Sequence, residues 1–153
     1  MSEKIEFISN SPEKSPGFLL GQLTLLWQRK QKKVLDPLDL TLTQFILLAS
    51  TAWLTNQSQN VTQVDIANLN NFDRMMVSKV LRTLQTKKLI TRQEHGTDTR
   101  AKIVTLTPNG KKLLQAALTK VEQSDIHFFS TIGKNLANLN GYMLQLIESN
   151  KNE

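Results

Sequence analysis

Between residues 62 and 107 the spacing of apolar residues changes once, and that change restricts the fold more than any other feature of the chain. Val77, Val80, Leu81 and Leu84 recur at helical spacing, whereas after Lys88 apolar and polar residues alternate, with Val104 and Leu106 on one face and Ile103 and Thr105 on the other. A period near 3.6 gathers side chains on one side of a helix, and a period of two gathers them on one face of a strand. The chain is therefore predicted to run from a helix into a two-stranded hairpin, with strands at 89–94 and 102–106 around a polar loop at 95–99.

Capping signals divide the rest. Thr62 with Asp65 opens a short helix carrying Ile66, Ala67 and Leu69, Asn70-Asn71 supplies a turn that tolerates left-handed backbone, and Asp73 caps the helix that follows. Two short helices joined by a tight turn are thus predicted within 62–87. Upstream, Ser15-Pro16 starts a helix with Leu19, Leu23, Leu26, Trp27 and Val34, and Asp36-Pro37 ends it. Thr41-x-x-Gln44 has the form of a capping box before an apolar helix at 45–54, and 56–60 is a polar break. Downstream, Thr107-Pro108 starts a long helix with Leu114, Ala117, Leu118, Val121, Phe128 and Ile132, broken at Gly133 before a last amphipathic helix at 136–147. The expected fold is mainly α with a small β-hairpin: four helices, the hairpin, then two helices. Residues 1–14 have no periodicity and read as an arm.

The charge is as uneven as the periodicity. Of 19 Lys and Arg against 13 Asp and Glu, eight positives and only three negatives lie within 73–102, so that one segment holds +5 of the net +6. Such concentration is the expected footprint of a polyanion partner. The 153 residues suffice for a core without staples, and with no cysteine the chain has no disulfide, thiolate metal site or nucleophilic thiol. His95 and His127 are the only histidines and lie far apart in the predicted order, so metal binding is not expected. The six glycines form no phosphate loop, and no nucleophile–base set stands out, so neither catalysis nor a cofactor is expected. No apolar run is long enough for a signal peptide or a membrane span, and a cytoplasmic chain without membrane contact is the expectation.

Two short helices with a basic second member, followed directly by a hairpin, are the layout of a winged helix-turn-helix. A helix about 10–12 Å across fits the DNA major groove when its groove face is polar and its back is buried. Met75, Ser78, Lys79 and Arg82 fall at i, i+3, i+4 and i+7, offset from Val77, Val80 and Leu84, and Arg74 lies near the helix N-terminus. In the hairpin, Arg100 is long and flat enough for a narrow minor groove, with Asp98 two residues away to hold it and Lys102 beside it.

The chain resembles the MarR family of bacterial transcription regulators from about residue 15 to 147. The likeness runs through Leu40-Thr41-Leu42-Thr43-Gln44-Phe45, Thr62-Gln63-Val64-Asp65-Ile66-Ala67, Val77-Ser78-Lys79-Val80, Lys87-Lys88-Leu89-Ile90 and the wing Asp98-x-Arg100-x-x-x-Val104-x-Leu106-Thr107-x-x-Gly110. The resemblance implies a homodimer formed by helices at 15–36 and 108–149. It also implies a DNA-binding domain at 37–107 that reads a pseudo-palindrome and represses, or occasionally activates, nearby genes. It further implies that Asp98 and Arg100 are the family's wing aspartate and minor-groove arginine. Many relatives have glycine where Lys88 stands, so this chain leaves the helix through a non-glycine residue, at a small cost if the backbone there is left-handed. Met75 and Met76 replace small hydroxyl residues, and packing on thymine methyls competes evenly with packing on a neighbouring helix. Relatives that sense oxidants use a cysteine, which this chain lacks.

Many family members bind small aromatic or phenolic anions. Trp27, Phe45 and Trp53 are candidate cavity residues, with ordinary core packing the stronger reading for each, and the cluster Arg29, Lys30, Lys32 and Lys33 reads as solvated charge. No effector site is assigned. The competing class is a winged-helix module for protein or RNA, from which the basic helix face together with Arg100 distinguishes a duplex-DNA binder.

Overall fold

The computed structural model describes residues 2–95 and 98–152, with the side chains of residue 95 and residues 98–101 outside that description. Its helices are α1 (Pro16–Leu35), α2 (Leu42–Gln57), α3 (Gln63–Asn70), α4 (Arg74–Thr86), α5 (Pro108–Phe128) and α6 (Leu136–Asn150), with strands β1 (Ile90–His95) and β2 (Asp98–Leu106) between α4 and α5. Short 3₁₀ turns follow α1 and α5.

The helices start where their caps stand. Ser15 accepts the Phe18 N–H, Thr107 accepts that of Gly110, and Thr41–Gln44 and Thr62–Asp65 each form a reciprocal box in which side chain and main chain satisfy one another. Each such cap is worth about 1 kcal/mol. Their ends are equally local. Asn71 and Lys88 both adopt left-handed angles (φ 53° and 61°), and the N–H of the following residue returns to the carbonyl five positions back, Phe72 to Ala67 and Leu89 to Leu84. This is the Schellman arrangement, with a lysine where glycine would be less strained.

The core lies among α1, α2, α3, α4, α5 and the base of the hairpin. Leu35, Leu47, Leu48, Ile66, Val77, Leu81 and Leu84 are fully buried, and Ile90 and Val104 close it from the strands. Val104 and Leu106 point inward and Thr105 outward, as the alternation predicts. The hairpin is held by a third backbone segment as well: Val104 donates its N–H to the Val61 carbonyl at 2.8 Å, and Thr62 bridges Ile103.

Two boundaries differ from the sequence expectation by four residues or more, and the others by three or fewer. The antiparallel ladder runs from Ile90↔Leu106 to Glu94↔Lys102, then across a bulge to His95↔Asp98, so β2 begins at Asp98 rather than at Lys102. Main-chain pairing needs no alternation of side chains, and this polar stretch shows none. Helix α5 ends at Phe128, five residues before Gly133. There the Ser130 hydroxyl donates to the His127 carbonyl at 2.7 Å, and the chain tightens into 3₁₀ geometry in which Gly133 takes φ 49°.

Where α4, β1 and α5 meet, the backbone leaves no spare room. Leu89 accepts the Thr107 N–H at 3.0 Å, Lys88 accepts the Thr107 hydroxyl at 2.7 Å, and a Cβ placed on Gly110 would lie 2.0 Å from the Leu89 oxygen. Gly110→Ala is expected to lower unfolding free energy by about 2 kcal/mol or more, since backbone on both sides must shift. Urea titration checks this, and an unchanged midpoint would show that the contact is not tight in solution.

Candidate nucleic-acid interface

Helix α4 is amphipathic in the sense a groove-reading helix requires. Val77, Leu81 and Leu84 are fully buried, and Val80 is half-buried beside them. On the opposite side Met75, Lys79 and Arg82 are exposed and Ser78 is half-buried, and together with Met76 they line one shallow depression. Asp73 accepts the Met76 N–H at 2.9 Å, so its carboxylate is committed to the helix start, and Arg74 is exposed on the first turn. Among the described residues no carboxylate lies within 4.0 Å of the charged groups of Arg74, Lys79, Arg82 or Lys102. A cluster of unneutralised cations on one side of a helix costs self-repulsion in the free protein and favours an anionic partner.

Not every positive charge in the basic segment belongs to that surface. The Lys87 ammonium reaches across to α2 and the turn before it, bonding to the Asp39 carbonyl and lying 3.3 Å from the Asp39 carboxylate and 3.4 Å from the Gln44 amide oxygen. Asp39 itself is left-handed, with φ 53°. Lys87 therefore anchors the C-terminal end of α4.

Arg92 is the residue that the sequence pattern does not single out. Its Nε donates to Gln85 Oε1 at 2.8 Å and its Nη1 to Gln63 Oε1 at 2.9 Å, so one guanidinium on β1 joins α3 and α4 to the hairpin. Burial, and then the neighbouring positive charge of Arg82, lower its pKa from the ordinary arginine value. The signal available in sequence is only an arginine at an inward-leaning strand position with glutamines 7 and 29 residues away. In the hairpin, Lys102 is exposed and pairs in register with Glu94. The side chains of Asp98 and Arg100 lie outside the described residues. The structure thus brings Met75, Ser78, Lys79 and Arg82 onto one surface and places Lys102 on the adjoining strand pair.

The aromatic candidates have separate roles. Trp27 donates its indole N–H to Asp125 Oδ1 at 2.8 Å, and the same oxygen accepts from Gln31 Nε2 at 2.8 Å, tying α1 to α5. Gln31 is fully buried, and its Oε1 has no partner among the described residues. Phe45 is buried in the core, and Trp53 is exposed on α2. Lys32 pairs with Asp36 one helical turn on, and Arg29, Lys30 and Lys33 are exposed. Among the described residues there is no group of three or more His, Asp or Glu arranged to hold a metal ion, and no single helix is long and apolar enough to cross a membrane.

Comparison with known proteins agrees with this geometry. Residues 36–125 match the family model of the ArnR1-like winged-helix domain. The chain is 42% identical over 125 residues to YdcH of Bacillus subtilis (strain 168), an uncharacterized HTH-type transcriptional regulator, covering 82% of this chain and 85% of that protein. Among solved structures, it is similar to the S. aureus MepR–DNA complex, with a TM-score of 0.76 and 26% identity over 88% of this chain and 97% of the other. It is also similar in fold to CouR of Rhodococcus jostii RHA1 bound to p-coumaroyl-CoA, with a TM-score of 0.78 and 23% identity over 91% and 95% of the two chains.

Removing the bridge made by Arg92 tests whether the hairpin and α4 are coupled through it. Arg92→Ala is expected to cost about 1–2 kcal/mol, the net value of two hydrogen bonds to a charged donor less the relief of repulsion at Arg82. Arg92→Lys, whose single ammonium cannot span both glutamines, is expected to recover only part. Chemical denaturation measures both, and wild-type stability in Arg92→Ala would mean the bridge contributes nothing.

Proposed function

Because the chain belongs to the MarR family of winged helix-turn-helix transcription regulators, we propose that it acts as a homodimeric repressor on a pseudo-palindromic operator, relieved by a small aromatic or phenolic ligand. In this reading α4 lies in the major groove with Arg74, Met75, Ser78, Lys79 and Arg82 toward the bases and phosphates. The hairpin reaches the adjacent minor groove with Asp98, Arg100 and Lys102. The protein is not an enzyme in this reading and acts in the cytoplasm. The observation that carries the proposal is the exposed basic face of α4, beside which no carboxylate lies among the described residues, backed by an apolar face on which Val77, Leu81 and Leu84 are fully buried.

Surface area supports the dimer. The chain exposes 11654 Å², whereas a compact monomer of its 17.4 kDa mass exposes about 7,900 Å². Exposed apolar side chains line α1 and α6, where Leu20, Leu26, Leu144 and Leu146 are at least half exposed, and among the described residues α6 packs substantially only on the turn before it. A second copy is the partner that two apolar stripes on one chain most simply fit, with residues 15–36 and 108–149 as the dimerisation helices and 37–107 as the reading domain. The ligand class rests on CouR, which binds p-coumaroyl-CoA, and no residue is assigned to it.

Salt titration of duplex binding tests the proposal. The logarithm of affinity is expected to fall linearly with the logarithm of salt concentration, with a slope of about −0.9 per phosphate contact, and Arg82→Ala is expected to make that slope shallower by about one contact for each protomer. Arg100→Ala is expected to weaken binding without unfolding the protein. An affinity indifferent to salt, or to both substitutions, would contradict the assignment of these elements to DNA.

A further inference from the structure

The recognition surface contains one residue that phosphates cannot explain. Met75 is 81% exposed, whereas its neighbour Met76 is half-buried and packs on the core. The two methionines, adjacent in sequence, therefore have different roles. Met75 occupies the second position of α4, one turn before Ser78 and Lys79 and two turns before Arg82 on the same face. A thioether carries no charge and no hydrogen-bond donor, so it gains nothing from a phosphate and little from a base nitrogen or oxygen. In the major groove the apolar group it can meet is the 5-methyl of thymine. The N-terminal residues of a recognition helix are those that approach base edges, and an unbranched, polarisable side chain adapts its shape to a methyl.

Resting on the DNA-binding reading above, we infer that Met75 is a specificity residue that reads a thymine methyl in each half-site of the operator. Ser78, Lys79 and Arg82 then supply polar contacts over about 6 Å of helix, close to two base pairs, on the C-terminal side of that thymine contact. The operator carries a thymine at the same place in both half-sites.

Deoxyuridine removes only the methyl and leaves pairing intact. The full-length protein is used to enrich a duplex from a randomised pool, and that duplex is resynthesised with each thymine replaced singly, and then in symmetric pairs, by deoxyuridine. For the wild type, one symmetric pair is expected to weaken binding about fourfold per half-site, the value of one buried methyl group. Met75→Gln, similar in length but polar, is expected to bind the thymine and deoxyuridine duplexes equally, whereas Met75→Leu retains the discrimination. With its side chain exposed, neither variant is expected to change the thermal unfolding profile. If no thymine position matters to the wild type, or if Met75→Gln discriminates as the wild type does, the inference is overturned while DNA binding stands. If the pool yields no enriched duplex, the DNA-binding reading fails and the inference with it.

Discussion

The carbonyl of Leu89 is the point on which the architecture turns. It directly follows the left-handed Lys88 that ends α4, it immediately precedes β1, and it accepts the N–H of Thr107, the residue that caps α5. Gly110 packs against the same oxygen so closely that even a methyl group has no place. Three elements thus leave one point at fixed angles: the helix with the exposed basic face, the hairpin, and the long helix that carries the C-terminal part of the chain. A change in the direction of α5 therefore has a short, stiff route to α4 and the hairpin. In the proposed dimer, the spacing of two such α4 helices would follow from how the α1 and α6 surfaces pack.

The second constraint is where the positive charge is spent. Lys87 and Arg92 belong to the basic segment but work inside the fold, one holding the end of α4 to Asp39 and Gln44, the other joining Gln63 and Gln85. Arg74, Lys79, Arg82 and Lys102 remain exposed. Anchored and exposed cations are therefore interspersed within one segment of the chain. The anchored ones orient the helix and hairpin, and the exposed ones give that orientation a use. In the proposed reading, a duplex supplies the counter-charge that the described part of the protein does not place beside them.

Most of the element order was legible because its signals are local. A cap is decided by two residues three positions apart, as at Thr41–Gln44 and Thr62–Asp65, and a left-handed Asn71 by the tolerance of asparagine for that region, whereas the left-handed Lys88 carries no such signal of its own. The buried face of α4 and the inward side of β2 followed from periodicity alone. What sequence pattern did not carry was anything depending on distant partners. The Val61–Val104 hydrogen bond joins residues on opposite sides of the helix-turn-helix, and Arg92 finds acceptors 7 and 29 residues away. Gly133 is a strong local signal for the end of α5, yet the chain passes into 3₁₀ geometry after Phe128, before that glycine is reached. Spacing puts Met75 and not Met76 on the groove face, and burial agrees, with Met76 against the core and Met75 outside.

Hydroxyl-radical footprinting on the enriched duplex tests the central claim most directly, because it reads symmetry, spacing and groove together. Two winged units carried by one dimer are expected to give protection with two-fold symmetry. Its major-groove centres are expected about one helical turn or a multiple of it apart, roughly 34–36 Å per turn, with an adjoining minor-groove patch from each hairpin. A single asymmetric patch, or protection confined to the minor groove, would contradict it.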